Sequence, residues 1–144
     1  MKSINSSAPV KCHRSITINA SQEKVWAALT NIDQWANYLT FVSKPKLNGE
    51  LKAGTSFYWK NAGTPINSII HTAEPFNYFG WTGKAFGTFA IHNWTLTSSN
   101  GQTLIAADES MEGFPVVLFK KYFYKLLDNG LQSWLELLKK ECEK

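Results

Sequence analysis

The sequence predicts an α+β domain in which a curved, seven-stranded antiparallel sheet wraps around a long C-terminal helix, with short helices after the first strand. Three features indicate it: an opening strand and helix, period-two alternation with closely spaced turns from 55 to 111, and helical periodicity from 116 to 141. A length of 144 residues, 44% of them apolar, fits one compact domain over 10–144. We expect residues 1–9, rich in Ser, Asn and Pro, to be flexible.

The first elements follow from short local patterns. Segment 12–18 alternates apolar and polar residues, as a half-buried strand does. Ser21 can cap a short helix, because its side-chain oxygen can accept from a free backbone N–H of the first turn. The helix carries apolar residues at helical spacing: Val25, Trp26, Leu29 and Ile32. A second strand is expected near 41–47.

Four two-residue turns set the pairing of the remaining strands. Asn100-Gly101, the strongest short hairpin signal, places His92 opposite Glu109. Ala62-Gly63 pairs Trp59 with Ile66.

The other two turns complete the meander. Gly83-Lys84 has glycine in the first position, as a type II′ turn prefers, and pairs Trp81 with Phe86. Glu74-Pro75 as a tight turn pairs Ile70 with Phe79.

These turns place one mostly aromatic set on the same face of the sheet. The set comprises Phe57, Trp59, Ile66, Ile70, Phe79, Trp81, Phe86, Trp94, Leu96 and Ile105. A one-residue slip would send half of it to the other face. The opposite face, to which alternation assigns His71, has a smaller apolar group of Ile69, Phe89 and Ile91. That group would be covered by a partner subunit, as in a homodimer, or left half exposed.

The helical periodicity of residues 116–141 predicts one long helix, bent at Gly130. Its apolar stripe comprises Phe119, Phe123, Leu127, Gly130, Trp134 and Leu138. A helix of about 10 Å diameter is too narrow for all the rings to pack flat beneath it. The sheet must therefore curl, and we expect an apolar hollow between sheet and helix.

Several segments also carry a resemblance to a known superfamily. ITINASQEKVWAALTNIDQWANY, FGWTG, IHNWTLTSSNGQTLIAADESMEG and LQSWLELLKK resemble START/Bet v 1-like (SRPBCC) proteins, within them the polyketide cyclase/dehydrase and lipid-transport group. The resemblance spans about residues 10–142. It implies a helix-grip fold around a cavity for a hydrophobic ligand, and it supplies no specific catalytic motif.

His92 and Glu109 are the candidate catalytic pair. Directly opposed residues on one face of a sheet have Cβ atoms about 5 Å apart. Inside an apolar wall, such a pair could move a proton to or from a bound carbonyl or hydroxyl group. Alternatively, the two side chains only bond each other and orient the polar end of a ligand.

The other candidate ligand-binding residues are aromatic or aliphatic. They are Phe57, Trp59, Ile70, Phe79, Trp81, Trp94, Phe119, Phe123 and Leu127, with His92 and Glu109 as polar anchors. Alternatively, the three tryptophans of this set are only core residues. Trp134 is expected to plug the narrow end of the hollow, and Trp26 and Trp35 to be structural. The entrance is expected at Phe41–Lys46, Glu74-Pro75 and Met111–Pro115.

Composition argues against several partners. The net charge is +4, but the basic residues are scattered, so nucleic acid is not expected as a partner. Cys12, Cys142 and three separated histidines have no metal-binding spacing, and GWTGKAFG lacks the dinucleotide-binding pattern, so we expect no metal or cofactor. No apolar run fits a signal peptide or a membrane span, so we expect a cytoplasmic protein with two reduced cysteines.

Three functions remain open. The first is binding of a small hydrophobic, aromatic or lipid-like molecule. The second is a cyclase/dehydratase-type enzyme in which His92 and Glu109 act as acid and base. The third is an interaction module similar to Hsp90 ATPase activators, which share the helix-grip architecture, working through Ile69, Phe89 and Ile91.

Overall fold

The computed structural model covers residues 1–144 and contains one seven-stranded antiparallel sheet in the order β1-β7-β6-β5-β4-β3-β2. The strands are β1 (Val10–Ile18), β2 (Val42–Leu47), β3 (Ser56–Asn61), β4 (Thr64–Glu74), β5 (Tyr78–Ala85), β6 (Thr88–Ser99) and β7 (Gln102–Glu112). The helices are α1 (Gln22–Thr30), a 3-10 turn (Ile32–Asn37), α2 (Phe114–Leu118) and α3 (Lys120–Cys142). The predicted fold class and strand number are confirmed.

The short helices begin as the sequence indicated. The Ser21 hydroxyl accepts a hydrogen bond from the Lys24 backbone N–H at 3.2 Å and caps α1. After α1 the chain turns inward, and the ring N–H of Trp35 donates to the Leu29 carbonyl at 2.8 Å. This bond helps to hold the Trp35 ring, which is fully buried, against the concave face of the sheet.

Two of the four predicted turns are confirmed. Asn100-Gly101 joins β6 to β7 with His92 opposite Glu109, and Ala62-Gly63 joins β3 to β4 with Trp59 opposite Ile66. Both residues of each turn have positive φ, which is the type I′ signature that suits the twist of a hairpin.

The other two turns are wrong in position. Strands β5 and β6 are joined by Phe86-Gly87, so that Trp81 pairs with His92 and Phe86 is exposed. Strands β4 and β5 are joined by a three-residue loop, and a bulge at His71 leaves Ile70 opposite Trp81. Trp81 pairs with residue 92 instead of 86 and Ile70 with residue 81 instead of 79, so at these two residues the register shifts by an even number. The predicted rings other than Phe86 therefore keep their face.

The C-terminal helical region is broken at Phe119 rather than bent at Gly130. Gly113, with φ of 127°, ends the last strand, and α2 and α3 follow. A Cβ atom at Gly113 would lie 2.1 Å from the Gly87 carbonyl oxygen. The close approach of these two backbones therefore requires glycine and fixes α2 against the β5–β6 turn.

The N-terminal segment of the chain lies across the convex face. The Asn5 backbone N–H donates to the Ser110 hydroxyl at 3.0 Å, and the Asn93 side-chain amide donates to the Lys2 carbonyl at 2.7 Å. Ile91, the register partner of Ser110, is 5% exposed. The expectation that Ile91 faces a partner or solvent is therefore wrong, while Ile69 is exposed and Phe89 is half-buried.

The two edges of the sheet differ. Helix α3 runs along β1, where the Arg14 guanidinium donates two hydrogen bonds of 2.8 Å to the Asp128 carboxylate. At the other edge, β2 pairs irregularly with β3: its register shifts between Ser43 and Lys46, and Lys44 has a φ of 51°.

Candidate functional site

The candidate site is a row of side chains that crosses five strands on the concave face. Successive register partners are Cys12 on β1, Glu109 on β7, His92 on β6, Trp81 on β5 and Ile70 on β4. All five side chains are buried. Cross-strand pairing places the two polar members next to each other in the middle of an otherwise weakly polar row.

His92 and Glu109 are in direct contact. The His92 Nδ1 atom lies 3.2 Å from the Glu109 Oε1 atom, and the two side chains are 5% and 11% exposed. The predicted juxtaposition on the inner face is therefore present. Seven residues separate each of the two from the turn that produces it, Asn100-Gly101.

Aromatic rings enclose His92 on two sides. Its ring centroid lies 4.5 Å from that of Trp81 and 4.8 Å from that of Trp94, with the Trp94 plane tilted by only 20°. The His92 Nε2 and Trp94 Nε1 atoms are buried and have no hydrogen-bond partner. Two unsatisfied nitrogens on stacked rings are costly in a folded protein and indicate a place where a polar group can bind.

Burial sets the protonation of the pair. It raises the pKa of Glu109 from 4.5 to about 8 and lowers the pKa of His92 from 6.5 to about 3, in both cases because the charged form loses its hydration. The Cys12 thiol, also buried, has its pKa raised to about 11. Two ions here would each lose their hydration, so we assign a neutral pair in which the carboxyl O–H donates to Nδ1.

This assignment fixes the chemistry that the site presents. A neutral imidazole that accepts at Nδ1 carries its proton on Nε2. The indole nitrogen of Trp94 is always a donor. The site therefore offers the buried N–H donors of His92 and Trp94, and the ring nitrogen of Trp134, in contact with both rings, is a third buried donor without a partner. The natural partner of such donors is an oxygen that accepts hydrogen bonds.

The space around these donors is largely filled, which corrects the expectation of an open apolar hollow. The Trp134 ring of α3 has its centroid 5.0 Å from that of Trp35 and 5.4 Å from that of Trp94. It also lies 5.6 Å from Trp59 and 5.8 Å from Trp81. Trp134 therefore occupies the centre of the concave face rather than plugging its narrow end.

The predicted ligand-binding residues do not all converge. The sheet residues are buried on the concave face: Phe57, Trp59, Ile70, Phe79, Trp81 and Trp94. Of the helix residues, Leu127 is buried and Phe123 half-buried, whereas Phe119 is 60% exposed. Placing Phe119 at the interior is wrong, because the helical region breaks at this residue.

Trp35 belongs to the same cluster, although the sequence assigned it only a structural role. Its ring centroid is 5.6 Å from those of Phe57, Trp59 and Trp81. It lies in a short 3-10 turn whose direction depends on tertiary packing, so no periodic pattern in the sequence marks it.

Helix α3 covers the row unevenly. From Leu127 onward its inward residues are buried, whereas Lys120 and Tyr124, on the same side, are exposed. Tyr124 approaches the row only through its carbonyl oxygen, 3.9 Å from the Cys12 sulfur. Since Cys12 is the register partner of Glu109, the loosely packed start of α3 lies at the Glu109 end of the row.

Two depressions lie outside this interior. One, of about 480 Å³, is lined by residues around the β5–β6 turn, including Lys84 and Phe89. The other, of about 450 Å³, is lined by residues 117–122 at the junction of α2 and α3. Neither contains a predicted site residue other than Phe119.

The fold and this interior define a class of protein. A seven-stranded antiparallel sheet that grips a long C-terminal helix is the helix-grip architecture of START/Bet v 1-like proteins. The sequence model of the family described as polyketide cyclase/dehydrase and lipid transport matches residues 9–143. The chain belongs to this family.

Solved structures share the fold at low sequence identity. A hypothetical protein from Helicobacter pylori aligns with a TM-score of 0.85 at 19% identity, covering 99% of this chain and 97% of the other. The Zhui aromatase/cyclase from Streptomyces sp. R1128 aligns with a TM-score of 0.82 at 12% identity, covering 92% and 93%.

A START superfamily protein from Mycobacterium smegmatis gives a TM-score of 0.80 at 11% identity, covering 92% of this chain and 97% of the other. The TM-scores of these three structures establish a shared fold. A search of curated proteins found no significant sequence match. None of the helices combines the length and apolar character needed to cross a bilayer.

Proposed function

We propose that this protein binds a small hydrophobic, aromatic or lipid-like molecule that carries a carbonyl-type oxygen, in the interior between the sheet and α3. One observation carries the proposal: the His92 Nε2 and Trp94 Nε1 atoms are buried without partners on rings stacked 4.8 Å apart. A ligand oxygen that accepts hydrogen bonds would satisfy such donors.

The surrounding residues fit an apolar body attached to that oxygen. Trp81 packs beside the His92 ring with its centroid 4.5 Å away, and Ile70 follows Trp81 in the same row. Aromatic walls with a few fixed polar groups are typical of small-molecule sites. Glu109 acts indirectly, because its protonated carboxyl group fixes the tautomer in which His92 donates from Nε2.

Entry requires movement, because Trp134 fills the centre of the interior. Its ring is carried by α3, whose first two turns are exposed on all sides except at Phe123. We infer that a ligand enters at the start of α3, next to Cys12 and Glu109, and displaces the Trp134 ring. Mobile covers of this kind admit ligands to closed sites.

A matched pair of probes tests the polar anchor. Acetonaphthone and ethylnaphthalene share a ring system and differ in the carbonyl oxygen. In the native protein the ketone should bind about tenfold more tightly, which corresponds to one or two net hydrogen bonds of about 1 kcal/mol each. Quenching of tryptophan fluorescence and calorimetry both measure the two affinities.

The variant His92→Leu should abolish this preference for the ketone and retain binding of the hydrocarbon. His13→Leu is the matched control, since it makes the same substitution at a side chain that is 62% exposed. Equal affinities for the two probes in the native protein, or a preference that survives in His92→Leu, would contradict the proposal. Native mass spectrometry of protein from its own host would show whether a small molecule co-purifies.

A second function, cyclase/dehydratase-type catalysis, is favoured by the proton chain through the pair. The Glu109 carboxyl can give its proton to His92 Nδ1 as Nε2 gives its own to a bound oxygen, leaving a carboxylate and a neutral imidazole. The similar Streptomyces structure bears the name aromatase/cyclase. Turnover of an aromatic polyketide-like substrate should then have a bell-shaped pH dependence that Glu109→Gln removes. Without turnover, this second function is excluded.

A further inference from the structure

The start of the C-terminal helical region exposes a group of apolar side chains. Their exposed fractions lie between 51% and 75%: Phe114, Val117, Leu118, Phe119, Tyr122, Tyr124 and Leu126. We call this group, together with the lysines among it, the α2–α3 surface. Single exposed apolar residues are ordinary, but a contiguous set marks an interaction site. The depression of about 450 Å³ lined by residues 117–122 joins its two helices.

Most of this surface is a second apolar face of the helix and does not belong to the core, whereas Lys120 and Tyr124 extend the inward side of α3 beyond its buried part. At 100° per residue, Tyr122 and Leu126 form one stripe along α3, and Phe119 comes directly before the helix. The stripe that is buried against the sheet contains Leu127, Leu131, Trp134 and Leu138. The two stripes are about 120° apart. Helix α3 therefore cannot bury both against the same sheet.

The charges of this surface all have one sign. Lys120, Lys121 and Lys125 are exposed, and none of them takes part in an ion pair. No acidic residue occurs between Phe114 and Leu127, and the first turn of α3 has none either. The positive end of the helix dipole adds to the lysine charges at this point.

We propose that the α2–α3 surface docks on a lipid bilayer that contains anionic lipids. The apolar side chains would enter the boundary between headgroups and acyl chains, and the lysines would contact lipid phosphates. Amphipathic helices with aromatic and basic residues bind membranes in this way, through apolar burial and electrostatic attraction together. This proposal is independent of the proposed ligand.

A second copy of the chain fits this surface less well. In a two-fold symmetric dimer the same surface meets itself, so Lys120, Lys121 and Lys125 would approach the same lysines of the partner. Like charges brought together in an interface are unfavourable. In an anionic bilayer, the acyl chains can contact the apolar side chains, and the negatively charged phosphates above them can contact the lysines.

Vesicle co-sedimentation tests the electrostatic part. The protein should bind vesicles of phosphatidylcholine and phosphatidylglycerol and bind weakly to vesicles of phosphatidylcholine alone. Lys121→Ala/Lys125→Ala should weaken binding roughly 30-fold, since each lysine near an anionic surface contributes about a fivefold gain. Lys46→Ala/Lys140→Ala removes the same charge from exposed positions elsewhere and should leave binding within about twofold of the native protein.

A second pair of variants tests the apolar part. Leu126 on the α2–α3 surface and Ile69 on the convex face are both 52% exposed. Leu126→Ser should weaken vesicle binding roughly fivefold to tenfold, and Ile69→Ser should not. Equal binding to both kinds of vesicle, or equal effects of the two members of either pair, would overturn the proposal. A dimer seen by analytical ultracentrifugation without lipid, and disrupted by Leu126→Ser, would also overturn it.

Discussion

Replacing Glu109 by glutamine should remove a loss of stability that the native protein shows above pH 6.5. In the native state, the buried pair holds one proton between about pH 3 and pH 8, because burial lowers the pKa of His92 and raises the pKa of Glu109. The unfolded chain holds two protons below pH 4.5, one between pH 4.5 and 6.5, and none above.

The sign and magnitude follow from these proton counts. Between pH 4.5 and 6.5 the two states hold equal numbers, so the pair makes no contribution to the pH dependence. Above pH 6.5 the native state holds one more proton, and the free energy of unfolding falls by about 2 kcal/mol up to pH 8. Below pH 4.5 the unfolded state holds one more, and stability falls again, by about 2 kcal/mol, down to pH 3.

Urea denaturation at closely spaced pH values measures this profile. In Glu109→Gln the imidazole is neutral in both states above pH 6.5, so the alkaline fall should vanish. The acid fall should begin at about pH 6.5 instead of 4.5, because below that pH only the unfolded imidazole takes up a proton. Parallel profiles of the native protein and the variant between pH 6.5 and 8 would refute the reasoning. Because the pair titrates as a unit, nitrogen NMR shifts of His92 at pH 6 locate its shared proton.

Two further predictions concern packing and backbone. Trp134→Ala should lower the free energy of unfolding by about 3–5 kcal/mol, since it empties the centre of the concave face, whereas Phe119→Ala, at an exposed position, should change it by less than about 0.5 kcal/mol. Similar values for the two would contradict the central position of Trp134. Gly113→Ala should lower the free energy of unfolding by about 2 kcal/mol or more, because its φ is positive and a Cβ would collide with the Gly87 carbonyl oxygen. At Gly130 a Cβ meets nothing within 4 Å, so Gly130→Ala should stabilise α3 by about 1 kcal/mol. Chemical denaturation measures all four variants, and a neutral Gly113→Ala would show that the two backbones can separate.

The side of the sheet on which each strand side chain lies could be predicted from sequence. Side chains alternate along a strand, so the side depends only on whether the register shifts by an odd or an even number of residues. Phe86-Gly87 is a type I′ turn like the two that were predicted correctly, but phenylalanine at positive φ is unusual, and Gly83 was the more conventional choice. The predicted turn gives Trp81 the partner Phe86 where the structure has His92, a difference of an even number of residues. The side that the Trp81 ring faces was therefore correct although its partner was not.

The depth of a side chain could not be predicted in the same way. Helical spacing gives the direction of Trp134 and Phe119, but not how far each part of the helix stands from the sheet. The break at Phe119 depends on the contact of Gly113 with the β5–β6 turn, which a local pattern does not contain. The covering of Ile91 by residues far earlier in the chain is a tertiary contact of the same kind.

The irregular strand β2 also affects how copies of this protein behave at high concentration. A sheet edge with free N–H and C=O groups in a straight row can recruit strands from other molecules. Three features interrupt that row. The backbone is kinked at Lys44, Pro45 has no N–H to donate, and the side chains of Lys44 and Lys46 are positively charged. The opposite edge lies under α3. A chain with regular hydrogen-bonding residues at 44–46 should therefore be more prone to form fibrillar aggregates.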